Sequence, residues 1–194
     1  MGAPVNMAVP LDNSLRSDRL ERVFANCFAD KLHTRLRGGA AEPLYQPALR
    51  QGGWHVLYYR ADYFASALHE VAHWCIAGAE RCLQVDFGYW YAPDGRSGVQ
   101  QKAFEAVESR PQALEWYFAK ACGYRFRVSV DNLDGVCGEL PDSSGFRRQV
   151  YEQALRWQRE GLPGRAAEFF HGLSCEFDTR VTPEQLQFTL AGLD

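Results

Sequence analysis

Leu68-His69-Glu70-Val71-Ala72-His73-Trp74 decides how this chain is read, because it sets H-E-x-x-H inside a stretch of helical periodicity. Histidines four residues apart are neighbours on one helix face, so His69 and His73 can grip one metal ion. Glu70 lies beside the pair and can act catalytically on whatever the metal holds. Phe64, Leu68, Ala72 and Ile76 line the apolar side of the same helix, which Asp62 can cap and Gly78 can stop near Ala77. The opposing reading is a surface helix with two coincidental histidines. Two imidazoles hold a metal poorly, so a third ligand is required.

Around this helix the composition is that of one domain. The chain has 194 residues, 46% hydrophobic and 13% aromatic, enough for a substantial core. A formal net charge of −3 gives no reason to expect nucleic acid or a membrane surface as partner, and basic pairs such as Arg147-Arg148 read as solvated helix faces. Met1 to Pro10 lacks the basic start and apolar run of a secretory signal, and no stretch is long and apolar enough to span a bilayer. Cysteines 27, 75, 82, 122, 137 and 175 form no C-x-x-C pair, so free thiols in the cytoplasm are expected. Cys75 and Cys82 lie close enough to the motif to be considered as thiolate ligands, although buried cysteine more often fills apolar space.

Residues 1–16 read as a mobile tail and 17–194 as the folded domain. Leu20, Val23, Phe24 and Phe28 follow helical spacing from Ser17, a possible N-cap, to about Asp30. Thr34 to Arg50, with two glycines and two prolines, reads as an extended loop. Trp54 to Tyr59 suits a short strand, as does Val85 to Tyr91 before the Pro93-Asp94-Gly95 turn. Gln100 to Glu108 reads as a helix interrupted by Pro111, with a second helix from Gln112 to Cys122. Arg125 to Val130 alternates as a strand, ahead of a turn at Asp131 to Gly135. Gly145 to Gly161, Pro163 to Leu173 and Pro183 to Leu190 read as helices. The fold class is therefore α+β, helix-dominated, with a small sheet.

The acidic candidates for the third ligand downstream of His73 are Asp86, Asp94, Glu105, Glu108 and Glu115. Glu105 and Glu108 share a helix face and either could point inward. In the broad zincin pattern a glutamate on a later helix completes the site, and an Asp or Asn four positions on commonly supports the histidines from behind. Glu108 has Gln112 at that offset and Glu105 has Ser109, which ranks Glu108 first and Glu105 second, the loser being a supporting or solvent-facing carboxylate. His33 and His171 lack acidic neighbours and read as structural or exposed. His55, beside Trp54, is a further candidate for the pocket.

Two histidines and a carboxylate fit two chemistries. With zinc they make a metallopeptidase site in which Glu70 is the general base. With iron(II) they make the facial triad of a non-haem oxygenase. A closed structural site is the third option, normally completed by a fourth protein ligand. The motif by itself favours the peptidase.

A wider set of residues shifts that balance. Tyr63 to Gly78, Val85 to Tyr91 with Pro93 to Arg96, Phe104 to Glu108 with Pro111 to Trp116, Cys122-Gly123-Tyr124 and Val128 to Leu133 together closely resemble the bacterial elongation factor P hydroxylase family. The likeness runs from about Leu20 to Thr179. It implies a zincin-like fold with a metal site turned to oxygenation: hydroxylation of the lysine of elongation factor P that has received a β-lysyl group. It also implies His69, His73 and a glutamate of the Phe104 to Glu108 block as metal ligands, with iron(II) as metal, dioxygen as co-substrate and an electron donor that no motif identifies. Elongation factor P would be the protein partner of a monomeric enzyme. Asp86, Tyr89, Tyr91 and Asp131 could receive the long cationic side chain, though each equally suits core packing or turn capping. The chain departs from the family at Arg81-Cys82, where members tend to carry paired basic residues.

Overall fold

Alternation, more than composition, builds the sheet. In the computed structural model, which describes residues 15–86, 97–129 and 143–193, Thr34–Ala40 forms strand β1, Leu44–Gln46 forms β2 and His55–Arg60 forms β3. The stretch expected as a loop thus contains two strands. Thr34 and Leu36 are buried while Arg35 and Arg37 between them are exposed, the period-two pattern of a half-covered strand. β3 lies in the middle, parallel to β1 and antiparallel to β2. Register shifts between Arg37 and Ala40, where Gly38 passes so close to Ala61 O and the Tyr59 ring that a Cβ would sit 2.6–2.7 Å from them. Glu21 pins this irregularity to the first helix, accepting from Gly38 N at 2.9 Å and from the Tyr59 hydroxyl at 2.8 Å.

Among the described residues there are five α-helices, of which α1 and α2 pack on the sheet: α1 Ser17–Leu32, α2 Phe64–Ile76, α3 Gly98–Cys122, α4 Ser144–Glu160 and α5 Gly164–Glu176. α1 packs on β1 and α5, α2 on β3 and α3, and α3 on α4 and α5. The core joins these faces through Phe24, Phe28, Trp74 and Phe169, with ring centroids 4.9–6.4 Å apart. The helix-dominated α+β class follows, and no helix is long and apolar enough to cross a membrane.

Five elements differ from expectation. Ser17 and Asp62 do not cap their helices; the N-caps are Arg16 and Tyr63, neither making a side-chain cap bond. Gln100 to Cys122 is not two helices but part of the single α3, with Pro111 inside it. Pro111 forfeits one backbone bond, but Pro111 to Ala119 are buried one after another, and that burial holds the segment helical. Residues 125–129 are not a strand: the Gln112 side chain takes the place of a neighbouring strand, donating to Ser129 O at 2.8 Å and accepting from Ser129 N at 3.1 Å. Pro183 to Leu190 is no α-helix, but short 3-10 turns at Pro183–Gln185 and Leu190–Leu193. Residues 1–14 of the expected tail, the strand and turn after Asp86, and the Asp131 turn lie outside the described residues.

Candidate metal centre

α2 forms because Phe64 to Ile76 holds no glycine or proline and buries Phe64, Ala67, Leu68, Val71, Ala72 and Cys75 at helical spacing. That burial turns His69 and His73 toward α3, with ring centroids 4.7 Å apart and Nε2 atoms 3.0 Å apart. From α3, Glu108 presents both oxygens to them: Oε1 is 3.2 Å from His73 Nε2 and Oε2 is 3.6 Å from His69 Nε2. One ligand atom from each of His69, His73 and Glu108 lies within 4.8 Å of the other two. Glu108 is 6% exposed, and its Oε2 is buried without a hydrogen-bond partner among the described residues. A buried carboxylate oxygen left unpaired beside two imidazole nitrogens costs free energy unless a cation joins them, so the donor set fits a metal ion.

Glu115, two turns beyond Glu108, approaches from the other edge of His69. Its Oε2 lies 2.9 Å from His69 Nδ1. A carboxylate accepts only, so the imidazole proton sits on Nδ1 and the Nε2 lone pair is left facing Glu108. Sequence reasoning weighed Glu115 only as a competing ligand. The signal available was its offset of seven residues from Glu108, which returns to the same helix face. Gln112, expected to support a histidine, instead braces Ser129 while its side chain also helps hold Glu108 in its ionised form. Glu105 is half-buried and accepts from Gln101 at 3.1 Å, away from the histidines.

The electrostatics follow from burial opposed by close partners. Burial works against ionisation of Glu108, yet His73 and His69 facing it bring its carboxyl down to about 2. Burial pushes Glu70 and Glu115 up. For His69 burial favours the neutral ring, but Glu115, Glu108 and Glu70 outweigh it and raise its affinity for a proton. A bound cation would compete with that proton.

Beside His73 lies a small cavity of about 30 Å³, walled by Glu70, Tyr45, Leu57, Trp74 and Asp86. Glu70 is 8% exposed, and its side chain makes no hydrogen bond to another described residue. Of the four pocket candidates, only Asp86 is described; it reaches this cavity, bonds Arg81 through its carboxylate and pairs its backbone with Tyr45. Tyr89, Tyr91 and Asp131 lie outside the described residues, as does Asp94. Arg81, Tyr45 and Trp74 were not anticipated. His55 touches the cavity wall indirectly, its Nδ1 3.0 Å from the Tyr45 hydroxyl. Cys75 is buried, its thiol pushed up by desolvation, and it is not part of the ligand group; Cys82 lines the cavity.

Comparison with known proteins agrees with this geometry. The family described as Elongation factor P hydroxylase matches residues 23–188. The chain belongs to that family. The protein named Elongation factor P lysine hydroxylase of Haemophilus influenzae is 45% identical over 157 residues, 81% of this chain and 86% of the relative. Membership in the elongation factor P hydroxylase family makes the chain an enzyme of hydroxylating type, and the match spans both α2 and α3.

Proposed function

We propose that this protein hydroxylates the β-lysylated lysine of elongation factor P in the cytoplasm, as a monomer, with a metal held by His69, His73 and Glu108. The observation that carries the reading is the coincidence of the family match with two imidazoles and one buried carboxylate converging from α2 and α3. Iron(II), when bound there, supplies activation of dioxygen, one oxygen atom entering a C–H bond and the other leaving as water with two electrons from an external donor. Glu115 fixes the His69 tautomer and ring orientation. Glu70, buried beside His73 with a raised proton affinity, is placed to hold or hand on a proton at its carboxylate, and is the catalytic side chain of this reading. Asp86 stands at the cavity where a cationic side chain would arrive, with Tyr89, Tyr91 and Asp131 as its proposed companions. Residues 17–194 form the catalytic domain and 1–16 a tail without a role in the reaction.

The test is mass spectrometry of the target peptide after aerobic incubation of iron(II)-loaded enzyme with modified elongation factor P. One added oxygen atom on the lysine is expected. No oxygen added, together with cleavage of peptides by the zinc-loaded protein, would overturn the reading in favour of a metallopeptidase with Glu70 as base.

A further inference from the structure

One guanidinium, carried on a helix that supplies no metal ligand, grips the wall of the cavity beside His73 at three points. Arg165, half-buried in the first turn of α5, donates one N–H to Ala77 O and another to Cys82 Sγ at 3.6 Å, and its guanidinium lies 4.5 Å over the Trp74 ring. Trp74, Ala77 and Cys82 all wall that cavity. Ala77 is the corner where the chain leaves α2: its backbone is extended, with ψ 131°, and its N–H donates to His73 O at 3.1 Å. Beyond the corner runs the stretch that brings Arg81 and Asp86 to the cavity. Tyr45 fastens this stretch from the sheet, its hydroxyl donating to Cys82 O at 3.0 Å and its backbone exchanging bonds with Asp86 at 2.7 and 3.0 Å. Arg165 is the matching tie from the helical side. Its partners are a carbonyl, a sulfur and a ring, with no carboxylate among the described residues, so an ion pair does not account for its place.

We propose that Arg165 is a positioning residue for the reaction, fixing the wall at which the substrate side chain arrives and the last turn of the helix that carries His73. A cavity of about 30 Å³ has room for little more than one water molecule, so it admits only the tip of a side chain, and a wall displaced by part of an ångström changes what it accepts. Misplacement by about 1 Å from a change away from the chemistry can slow a reaction about 100-fold. Lysine is no equivalent here. An ammonium is a point charge, whereas the planar guanidinium bonds a carbonyl and a sulfur at its edge while its face lies on an indole. Arg19 supplies the contrast: it makes a similar three-way grip at the opposite end of α5, on the Glu176 carboxylate, the Glu176 carbonyl and the Phe177 ring at 4.1 Å. Neither Glu176 nor Phe177 lines the cavity. Both arginines tie α5 to the rest of the fold, and Arg165 alone of the two holds the wall.

The proposal rests on hydroxylation being the reaction of this site, and two readouts keep the two separable. The cobalt(II)-loaded full chain gives a visible spectrum without turnover, and hydroxylation of modified elongation factor P gives KM and kcat. Both are taken for wild type, Arg165→Gln, Arg165→Lys and Arg19→Gln, at a temperature well below each melting transition. Arg165→Gln should shift the cobalt bands and raise KM about fivefold or more, with kcat moved less. Arg165→Lys, which keeps the charge and loses the fork, should do the same to a smaller degree. Arg19→Gln should lose stability and keep the wild-type spectrum and KM. A wild-type spectrum or a wild-type KM in both Arg165 variants would overturn the proposal. Equal changes in Arg19→Gln would overturn it too, because Arg165 would then be one structural contact among others. If wild type adds no oxygen, the hydroxylase reading fails, and the cobalt spectrum alone decides on Arg165.

Discussion

Glu115→Gln is the substitution that tests how the metal centre is built. Wild-type Glu115 is 7% exposed, and its Oε2 lies 2.9 Å from His69 Nδ1. Glutamine is nearly isosteric and its carbonyl can still accept from Nδ1, so what goes is the charge. Hydrogen bonds to a charged group contribute about 1.5–3 kcal/mol, and losing such a partner behind a metal-ligating histidine weakens metal affinity about 10–100-fold. At about 1.4 kcal/mol per decade this is about 1.4–2.8 kcal/mol, with Gln at the lower end and Ala at the upper. The assay is competition for cobalt(II) against a chromophoric chelator, read with the visible spectrum of the cobalt-loaded protein. Glu105→Gln is the control: Glu105 bonds Gln101 and not a histidine, so its affinity should match wild type. If Glu115→Gln and Glu115→Ala both bind cobalt within about twofold of wild type with an unaltered spectrum, Glu115 does not orient His69.

Other outcomes follow from the same coordinates. Glu108→Gln should abolish metal binding and oxygen incorporation while circular dichroism retains the helical signal, because α3 is held by its buried flank and not by the carboxylate. Phe24→Ala, in a fully buried position against Phe28, Trp74 and Phe169, should cost about 3–5 kcal/mol in denaturant unfolding. Gly172→Ala should cost about 1–3 kcal/mol by overpacking, since its Cβ would stand 2.8 Å from Val23 Cγ1 and 3.2 Å from Cys27 Sγ. Stability should fall in alkali: burial raises the Cys27 thiol from 9.0 to about 11 and the Tyr45 and Tyr59 hydroxyls from 10.0 to about 12. The unfolded chain gives up those protons first, so this contribution is full below about pH 9 and is lost through pH 11 and 12. Thermal melts across that range check it, and Cys27→Ala should make the decline above about pH 9 shallower without removing it, because burial also pushes up the Cys75 and Cys122 thiols.

What could be read from the sequence was what local spacing dictates. His69 and His73 face one another because four residues make one turn, and that holds wherever the helix is placed. Glu108 ranked above Glu105 through an offset to Gln112, and the structure brings Glu108 to the histidines, though Gln112 turns to Ser129 and not to a ring. The failures sit where a distant partner decides. Two glycines and two prolines interrupt Thr34 to Arg50, so a loop is the local expectation; β1 exists because β3 pairs with it. Arg125 to Ser129 has the alternation of a strand and pairs with no strand among the described residues, the Ser129 backbone bonding the Gln112 side chain. Pro111 ends a helix by local rule and does not end α3, because the residues after it are buried on every side.

The same contrast explains why the metal centre resists a purely local reading. A helix whose face carries Glu108, Gln112 and Glu115 through Pro111 departs from ordinary patterning twice, with buried carboxylates and with an internal proline. Such departures persist where another interaction offsets them. Glu115 is offset by His69, and Gln112 by Ser129, but Glu108 Oε2 has no hydrogen-bond partner among the described residues. Within this cluster, then, the polar groups of Gln112 and Glu115 have partners in the fold, and the oxygen without one among the described residues is on the carboxylate that could hold a metal ion. That division is drawn on α3 without reference to the motif on α2, and both point to the space between His69, His73 and Glu108, whose ligand atoms lie close enough to hold one ion.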